Sequence, residues 1–256
     1  MASDLKSLEQ KAQQLLGEHK YEDAGDLYFQ AARAFQKEEK HNQAAICLAA
    51  AASSLALMFG QKTFQRIAYL YEEAAREAEV SMDLEYASML YKYAAVSYER
   101  DHDYLAYSEC FFRSKESYRK FLFFDLFRAS KKDDNVEIKF NLKLVGRRLV
   151  PLITLTFSSL VWGHGERPHR TAFFGFLLVL LCSVLYTRGH LSRDNMIIKP
   201  DLFQATYFSF TTFTKVGAEY VIPIGFSKAV AVIEAFSGLF ILPLFLTGLC
   251  RKYLRF

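Results

Sequence analysis

The chain has 256 residues, of which 52% are hydrophobic and 16% aromatic, and its 32 basic and 28 acidic residues give a formal net charge of +4. This apolar content is high for a soluble protein, and the mild, dispersed positive charge argues against a nucleic-acid partner. Charged residues are concentrated in the first half, whereas the last third contains long runs with almost no charge. The composition therefore predicts a water-soluble half joined to a membrane half.

The amino terminus, MASDLKSLEQKAQQ, is polar and lacks the basic start and apolar core of a cleavable secretory signal, so we expect the soluble half to stay in the cytoplasm. No nucleophile, base or metal constellation is present, so we expect neither an enzyme nor a bound cofactor. The cysteines are far apart and have no metal-ligand spacing, which predicts reduced packing residues. They are Cys47, Cys110, Cys182 and Cys250.

Residues 1–127 are predicted to form an array of about six antiparallel helices. The region lacks proline, and its apolar residues recur at intervals of three and four. A large pair followed by two alanines repeats at roughly twenty residues per helix, which lets neighbouring helices approach closely. The clearest copies are Leu27-Tyr28 with Ala31-Ala32, Leu70-Tyr71 with Ala74-Ala75, and Leu90-Tyr91 with Ala94-Ala95.

The phrase YEDAGDLYFQAARAF, Tyr21 to Phe35, resembles the tetratricopeptide-like hairpins of the soluble attachment proteins of vesicle fusion. The resemblance implies that the array binds a cytosolic protein or mediates assembly. The alternative is that its tyrosines and alanines serve only as core. The histidines of this region, His19, His41 and His102, lie near helix boundaries and are expected to face solvent.

Residues 128–140 are charged and aperiodic, which predicts a linker. Residues 141–170 contain an apolar run of about fourteen residues flanked by arginines, too short to cross a bilayer about 30 Å thick. We expect an interfacial helix with Trp162 at the head-group level, the alternative being a third span from Leu149.

Two segments, 171–187 and 226–250, are long and apolar enough to span a membrane. Arginines precede the first and basic residues follow the second, so the positive-inside rule predicts a multi-pass protein of the cell membrane with both termini in the cytoplasm. Between the spans, residues 201–214 predict a helix too short to cross, followed by a non-helical stretch ending at Pro223. Such backbone survives at membrane depth only when it is buried in protein or lines a water-filled path.

The order of outer helix, half-helix, loop and inner helix, with the residues TFTKVG and a proline six positions later, resembles the two-helix pore domain of prokaryotic potassium channels. The resemblance covers roughly residues 147–255. It implies an all-α membrane pore domain over residues 171–256, a homotetramer around a central axis, and a filter at 214–220 whose carbonyls replace the water shell of a permeant monovalent ion.

Only two of the five filter positions of that family are retained. By resemblance, Thr214 precedes the filter, Lys215 replaces its first threonine, and Val216 and Gly217 match. The next three positions also differ from the family: Ala218 replaces the tyrosine, Glu219 the second glycine and Tyr220 the aspartate.

Each departure predicts a physical consequence. Four Lys215 ammoniums near the axis would repel cations unless their pKa values fall or their stems turn away. A left-handed backbone at Glu219 would cost about 1 to 2 kcal/mol, so the outer filter is expected to adopt another shape. Lys215 could pair with Glu219, or Glu219 could ring the outer mouth and attract cations.

Other residues of the half-helix and the inner helix are also expected to have roles in the pore. Thr212 is expected to support the filter, while Thr211, Tyr207 and Phe208 are expected to pack around it. In the inner helix, Gly238 is either a gating hinge or a site of close helix packing, and Pro243 is a kink that frees a carbonyl. Glu234, a carboxylate inside a span, is a functional candidate tied to the back of the filter.

Two functions follow from these patterns. The first is a homotetrameric pore-loop channel that conducts cations with weak selectivity, with potassium-selective, anion-conducting and silent pores as alternatives. The second is a membrane-anchored scaffold in which the array binds a partner and the pore domain only tetramerises. The lysine ring favours the scaffold, and the intact pore-helix pattern favours the channel.

Overall fold

The computed structural model of the chain describes residues 2–58, 64–131, 142–193, 196–217 and 221–253. Within these ranges the chain is all-α apart from three short strands, which confirms the predicted fold class. The contacts divide the chain into two units, Met1–Phe157 with Phe256 and Ser158–Arg255. Each unit is described separately.

The first unit contains an array of six helices, in which consecutive helices from α1 to α6 pack against each other. The helices are α1 (Ala2–Gly17), α2 (Tyr21–Lys37), α3 (His41–Ala56), α4 (Phe64–Val80), α5 (Leu84–Arg100) and α6 (Tyr104–Lys131). Helix α6 therefore continues four residues beyond the predicted end of the array at 127. The remainder of the predicted linker, from residue 132, lies outside the described residues.

Four connections of the array share one backbone turn. A left-handed residue ends each preceding helix, and the next amide donates to a carbonyl five residues earlier, as from Lys20 to Leu15 at 2.9 Å and from Asp83 to Ala78 at 2.9 Å. This arrangement is a Schellman motif without glycine. The left-handed residues are His19, Glu39, Met82 and His102. One helix separates His19 from Glu39 and one separates Met82 from His102, whereas both α3 and α4 lie between Glu39 and Met82.

The predicted alanine pairs form the core of the array. Ala31, Ala32, Ala74 and Ala75 are fully buried. Small residues at these positions let the helix backbones approach, and large neighbours such as Leu48 and Tyr91 fill the remaining space. The repeat seen in the sequence is therefore the packing repeat of the fold.

Helix α7 (Leu142–Trp162) contains Pro151 and passes from the first unit into the second at Ser158. In the first unit, Arg148 Nη1 of α7 lies 2.7 Å from a carboxylate oxygen of Asp125 in α6. A short 3-10 turn, Gly163–Gly165, follows α7.

The second unit is built from α8 (Pro168–Arg188), α9 (Leu202–Phe213) and α10 (Phe226–Tyr253), which pack against one another. Among the described residues, α8 and α10 are the two helices long and apolar enough to cross a membrane. Only a third or less of their apolar windows is buried in the single chain. Much apolar surface is thus left for lipid or for neighbouring copies.

A small antiparallel sheet, which the sequence patterns did not predict, joins the connections of this unit. Strands β1 (His190–Arg193), β2 (Met196–Ile198) and β3 (Val221–Ile224) are arranged in the order β2-β1-β3. Leu191 is paired with Ile198 on one side and with Pro223 on the other. Proline is tolerated here because β3 is an edge strand. The pairing of β1 with β3 therefore holds the residues that follow the loop.

Candidate functional site

Helix α9 begins at a capped end and is too short to span a bilayer. The side chain of Asp201 accepts a hydrogen bond from the amide of Gln204 at 2.7 Å, an N-cap of the usual acidic type. Twelve residues at 1.5 Å each extend about 18 Å, against about 30 Å of hydrocarbon. Helix α9 therefore packs against α8 and α10 but is too short to cross a bilayer beside them.

The backbone changes hand repeatedly after α9. Thr214 is right-handed (φ −78°), Lys215 has φ +62° and Gly217 has φ +79°. The amide of Gly217 donates to the carbonyl of Thr211 at 3.1 Å, which folds the loop back onto the end of the helix. Positive φ at Lys215 and Gly217 therefore ends the helix and gives the loop an irregular backbone.

The loop is exposed in the single chain. Lys215, Val216 and Gly217 are all exposed, with Val216 at 79%. Lys215 and Thr212 line a groove of about 540 Å³ that extends along α10 from Lys228 to Ala235. Exposure of an apolar valine within a membrane unit leaves this surface for a neighbouring copy or for a water-filled path.

The outer half of the predicted filter, Ala218, Glu219 and Tyr220, lies outside the described residues. The pairing of Lys215 with Glu219 therefore stays a prediction. The chain resumes in β3, and the pairing of Val221 with Arg193 ties the end of the loop to the hairpin.

Glu234 joins all three helices behind the loop. It is fully buried on α10 and accepts hydrogen bonds from the Tyr186 hydroxyl of α8, at 2.8 Å, and from the Ser209 hydroxyl of α9. The Tyr186 ring in turn packs edge-on against Phe208 of α9, with 4.9 Å between ring centroids. A buried carboxylate is expensive to leave without partners, so this cluster fixes the position of α9 relative to both long helices.

Gly238 lies where α10 crosses the end of α9. A Cβ atom added at Gly238 would be 2.1 Å from the carbonyl oxygen of Phe213. This distance is far below van der Waals contact, so the absence of a side chain permits the close approach. The contact favours the packing interpretation of Gly238. Pro243 lies inside α10, which continues through it to Tyr253.

The other predicted pore residues have ordinary structural roles in the single chain. Thr211 is buried, and its hydroxyl donates to the carbonyls of Tyr207 and Phe208, both at 3.0 Å. Phe208 is buried, whereas Tyr207 is 60% exposed. The packing of Tyr207 and Phe208 around the loop stays a prediction.

Sequence reasoning missed the partners of Glu234. Tyr186 ends an apolar run and Ser209 lies in an aromatic one, and neither resembles a site by its type. The available signal was the unpaired acidic residue itself, because a buried carboxylate requires hydroxyl or basic partners on the helices that face it.

The second unit thus has the arrangement of a pore-loop domain: two membrane-length helices enclosing a capped half-helix and a loop of alternating hand. Residues 173–255 match a family model described as "Ion channel". The match supports a pore-loop channel domain in this part of the chain, and with it a membrane protein. It gives no support for the tetratricopeptide resemblance of the array, which stays a prediction.

No curated protein and no solved structure matched the chain.

Proposed function

We propose that the chain assembles as a homotetramer of the cell membrane and conducts monovalent cations passively, with weak selectivity, through a filter formed by residues 214–220. The observation that carries the proposal is the re-entrant half-helix α9, held by Glu234 and followed by the exposed loop of Lys215, Val216 and Gly217. One copy cannot enclose a path, so four loops would meet on an axis. Both termini and the helical array lie in the cytoplasm, where the array docks a protein partner.

Lys215 is the residue on which conduction depends. An ammonium about 8 Å from a cation costs about 2 kcal/mol at an effective dielectric constant of 20, so four of them would cost about 8 kcal/mol. That barrier would exclude cations. Most of it would be removed if the Lys215 side chains were directed along α10, or if their ammonium groups were paired with Glu219. The groove that Lys215 shares with Ala231 of α10 supports a Lys215 side chain directed along that helix.

The same lysine favours a second function. If the four ammoniums stay on the axis, the pore domain is silent and serves to tetramerise and anchor a scaffold whose array binds a partner.

Ion flux through the purified protein in liposomes distinguishes the channel from the scaffold. Potassium, sodium and chloride gradients are imposed on the unmodified protein, on Lys215→Thr and on Lys228→Thr, a control that removes an exposed lysine from the same groove. Cation flux from the unmodified protein and from the control, with higher flux or altered selectivity in Lys215→Thr, is the expected result. Cation flux only from Lys215→Thr would indicate the plugged scaffold, and chloride flux would overturn cation conduction.

A further inference from the structure

The last residue of α9, Phe213, is enclosed by two glycines. Its side chain is buried, and a Cβ atom added at Gly175 of α8 would lie 3.2 Å from Cζ of its ring. On the other side, a Cβ atom added at Gly238 of α10 would lie 2.1 Å from its carbonyl oxygen. Phe213 therefore occupies a slot between the two long helices, and the slot is wide enough because both flanking residues lack a side chain.

Apolar packing closes the slot around the ring. Phe213 forms a buried cluster with residues of α8 and α10, the two helices that flank α9. The other members of the cluster and the residues packed against it are Val179, Ile241, Phe174, Leu178 and Leu242. Because protein interiors are close-packed, a rotation of the last turn of α9 would press the ring into one of these neighbours.

The slot also determines where the loop begins. Phe213 is followed directly by Thr214, whose amide donates to the carbonyl of Phe210 at 3.0 Å. The amide of Lys215 then donates to the carbonyl of Thr212 at 3.3 Å. These hydrogen bonds tie the first loop residues to the last turn of α9, and Phe213 is the largest buried side chain of that turn. The orientation of this turn fixes the direction in which the Lys215 side chain leaves the helix.

We propose that Phe213 is a positioning residue for Lys215. By filling the slot it keeps the lysine side chain in the groove along α10, which Lys215 shares with Ala231, and away from the ion path. The inference rests on the proposed function, since the ion path belongs to it. It adds the residue that controls where the lysine charge lies.

Phe213→Leu tests this role, because leucine stays apolar but leaves part of the slot empty and lets the last turn rotate. Flux is measured in liposomes for the unmodified protein, Phe213→Leu, Lys215→Gln and the double variant. We expect Phe213→Leu to lower cation flux more than about tenfold, since one ammonium about 8 Å from the path is enough for that loss. The double variant should conduct as well as Lys215→Gln alone, because residue 215 then has no charge to misplace.

Three further variants control for packing. Phe213→Met has a long, flexible apolar side chain that fills the slot and should retain flux. Val230→Ala removes volume from the separate buried cluster that contains Tyr186, and any loss of flux should be the same with Lys215 and with Lys215→Gln. Gly175→Ala presses on the Phe213 ring from α8 and should act in the same direction as Phe213→Leu.

A cross-linking measurement reports the position of residue 215 without conduction. Cys250, the exposed member of the four cysteines, is first replaced by serine. Lys215→Cys and Ala231→Cys are then combined in the full-length protein in liposomes, and a short bis-maleimide is added. Denaturing electrophoresis separates links within one chain from links between copies. We expect Phe213→Leu and Gly175→Ala to lower the yield of the link within one chain several-fold.

The results separate failure of this inference from failure of the proposed function. An equal loss of flux from Phe213→Leu with Lys215 and with Lys215→Gln would overturn the positioning role, as would an unchanged cross-linking yield, and Phe213 would be a packing residue only. Absence of flux from every variant would overturn conduction. The cross-linking yield alone would then decide whether Phe213 positions residue 215.

Discussion

Substitution of Gly238 by alanine tests the contact between the inner helix and the half-helix. The added Cβ would lie 2.1 Å from the Phe213 carbonyl oxygen and 3.0 Å from its carbon. An ordinary contact needs about 3.3 Å, so the two helices must separate by about 1 Å. The obstructing atom belongs to the backbone and cannot rotate away.

The half-helix has little room to move. The ring of Phe213 would lie 3.2 Å from a Cβ atom on Gly175 of α8, and Ser209 is bonded to Glu234. Overpacking of this kind lowers the free energy of unfolding by about 1 to 3 kcal/mol. The higher helix propensity of alanine offsets about 0.8 to 1 kcal/mol of this loss. We expect Gly238→Ala to lower the thermal unfolding midpoint of the detergent-solubilised protein, followed by Trp162 fluorescence, and to reduce flux.

Gly146 provides the matched control, because it also lies in a helix and a Cβ atom there would meet nothing within 4 Å. Gly146→Ala should leave the midpoint unchanged or raise it. If Gly238→Ala and Gly146→Ala have the same midpoint, the close approach is refuted. If Gly238→Ala changes the open probability at an unchanged midpoint, Gly238 acts as a hinge.

Three further predictions follow from buried polar groups. Tyr186→Phe removes a 2.8 Å hydrogen bond to Glu234 and should cost about 1 to 3 kcal/mol, with Tyr186→Phe and Glu234→Ala non-additive in a double-mutant cycle of thermal unfolding. Burial raises the pKa of the Cys47 thiol to about 12, so at pH 8 a thiol reagent should modify exposed Cys250 and spare Cys47, as read by peptide mass spectrometry. Burial also raises the pKa of Tyr91 from 10.0 to about 12. The contribution of this group to the free energy of unfolding should therefore be complete below pH 10 and lost as the pH rises through 12. The loss, measured from unfolding curves followed by circular dichroism, should be at most about 2.7 kcal/mol.

Substitutions of exposed tyrosines serve as controls for the two tyrosine experiments. Tyr207→Phe and Tyr93→Phe alter side chains that are 60% and 47% exposed and should change stability little. Additive effects of Tyr186→Phe and Glu234→Ala would contradict the cluster. Equal labelling of Cys47 and Cys250 in the folded protein would contradict the burial of Cys47. An alkaline transition that is unchanged in Tyr91→Phe would assign it to other groups.

The helices could be predicted from the sequence because their signals are local. Asp201 marks the start of α9 to within a residue, and the alanine pairs mark the core of the array. The sheet could not be predicted, because strands of three or four residues have too few alternations to differ from a loop. The pairing of β1 with β3 also links segments about thirty residues apart. The partners of Glu234 are likewise set by tertiary packing.

The two ends of the loop are held by different parts of the unit. Ser209 and Glu234 anchor the helix before it, and the pairing of Val221 with Arg193 anchors the strand after it. Lys215 has a left-handed φ of +62° without being glycine, a conformation that costs about 1 to 2 kcal/mol. The surrounding fold therefore imposes the backbone path on the loop residues. Threonine is β-branched and tolerates a positive φ less well than lysine, so Lys215→Thr changes both the backbone strain and the charge. Lys215→Gln has an unbranched side chain and should keep that path, so its flux, measured beside that of Lys215→Thr, separates electrostatics from folding.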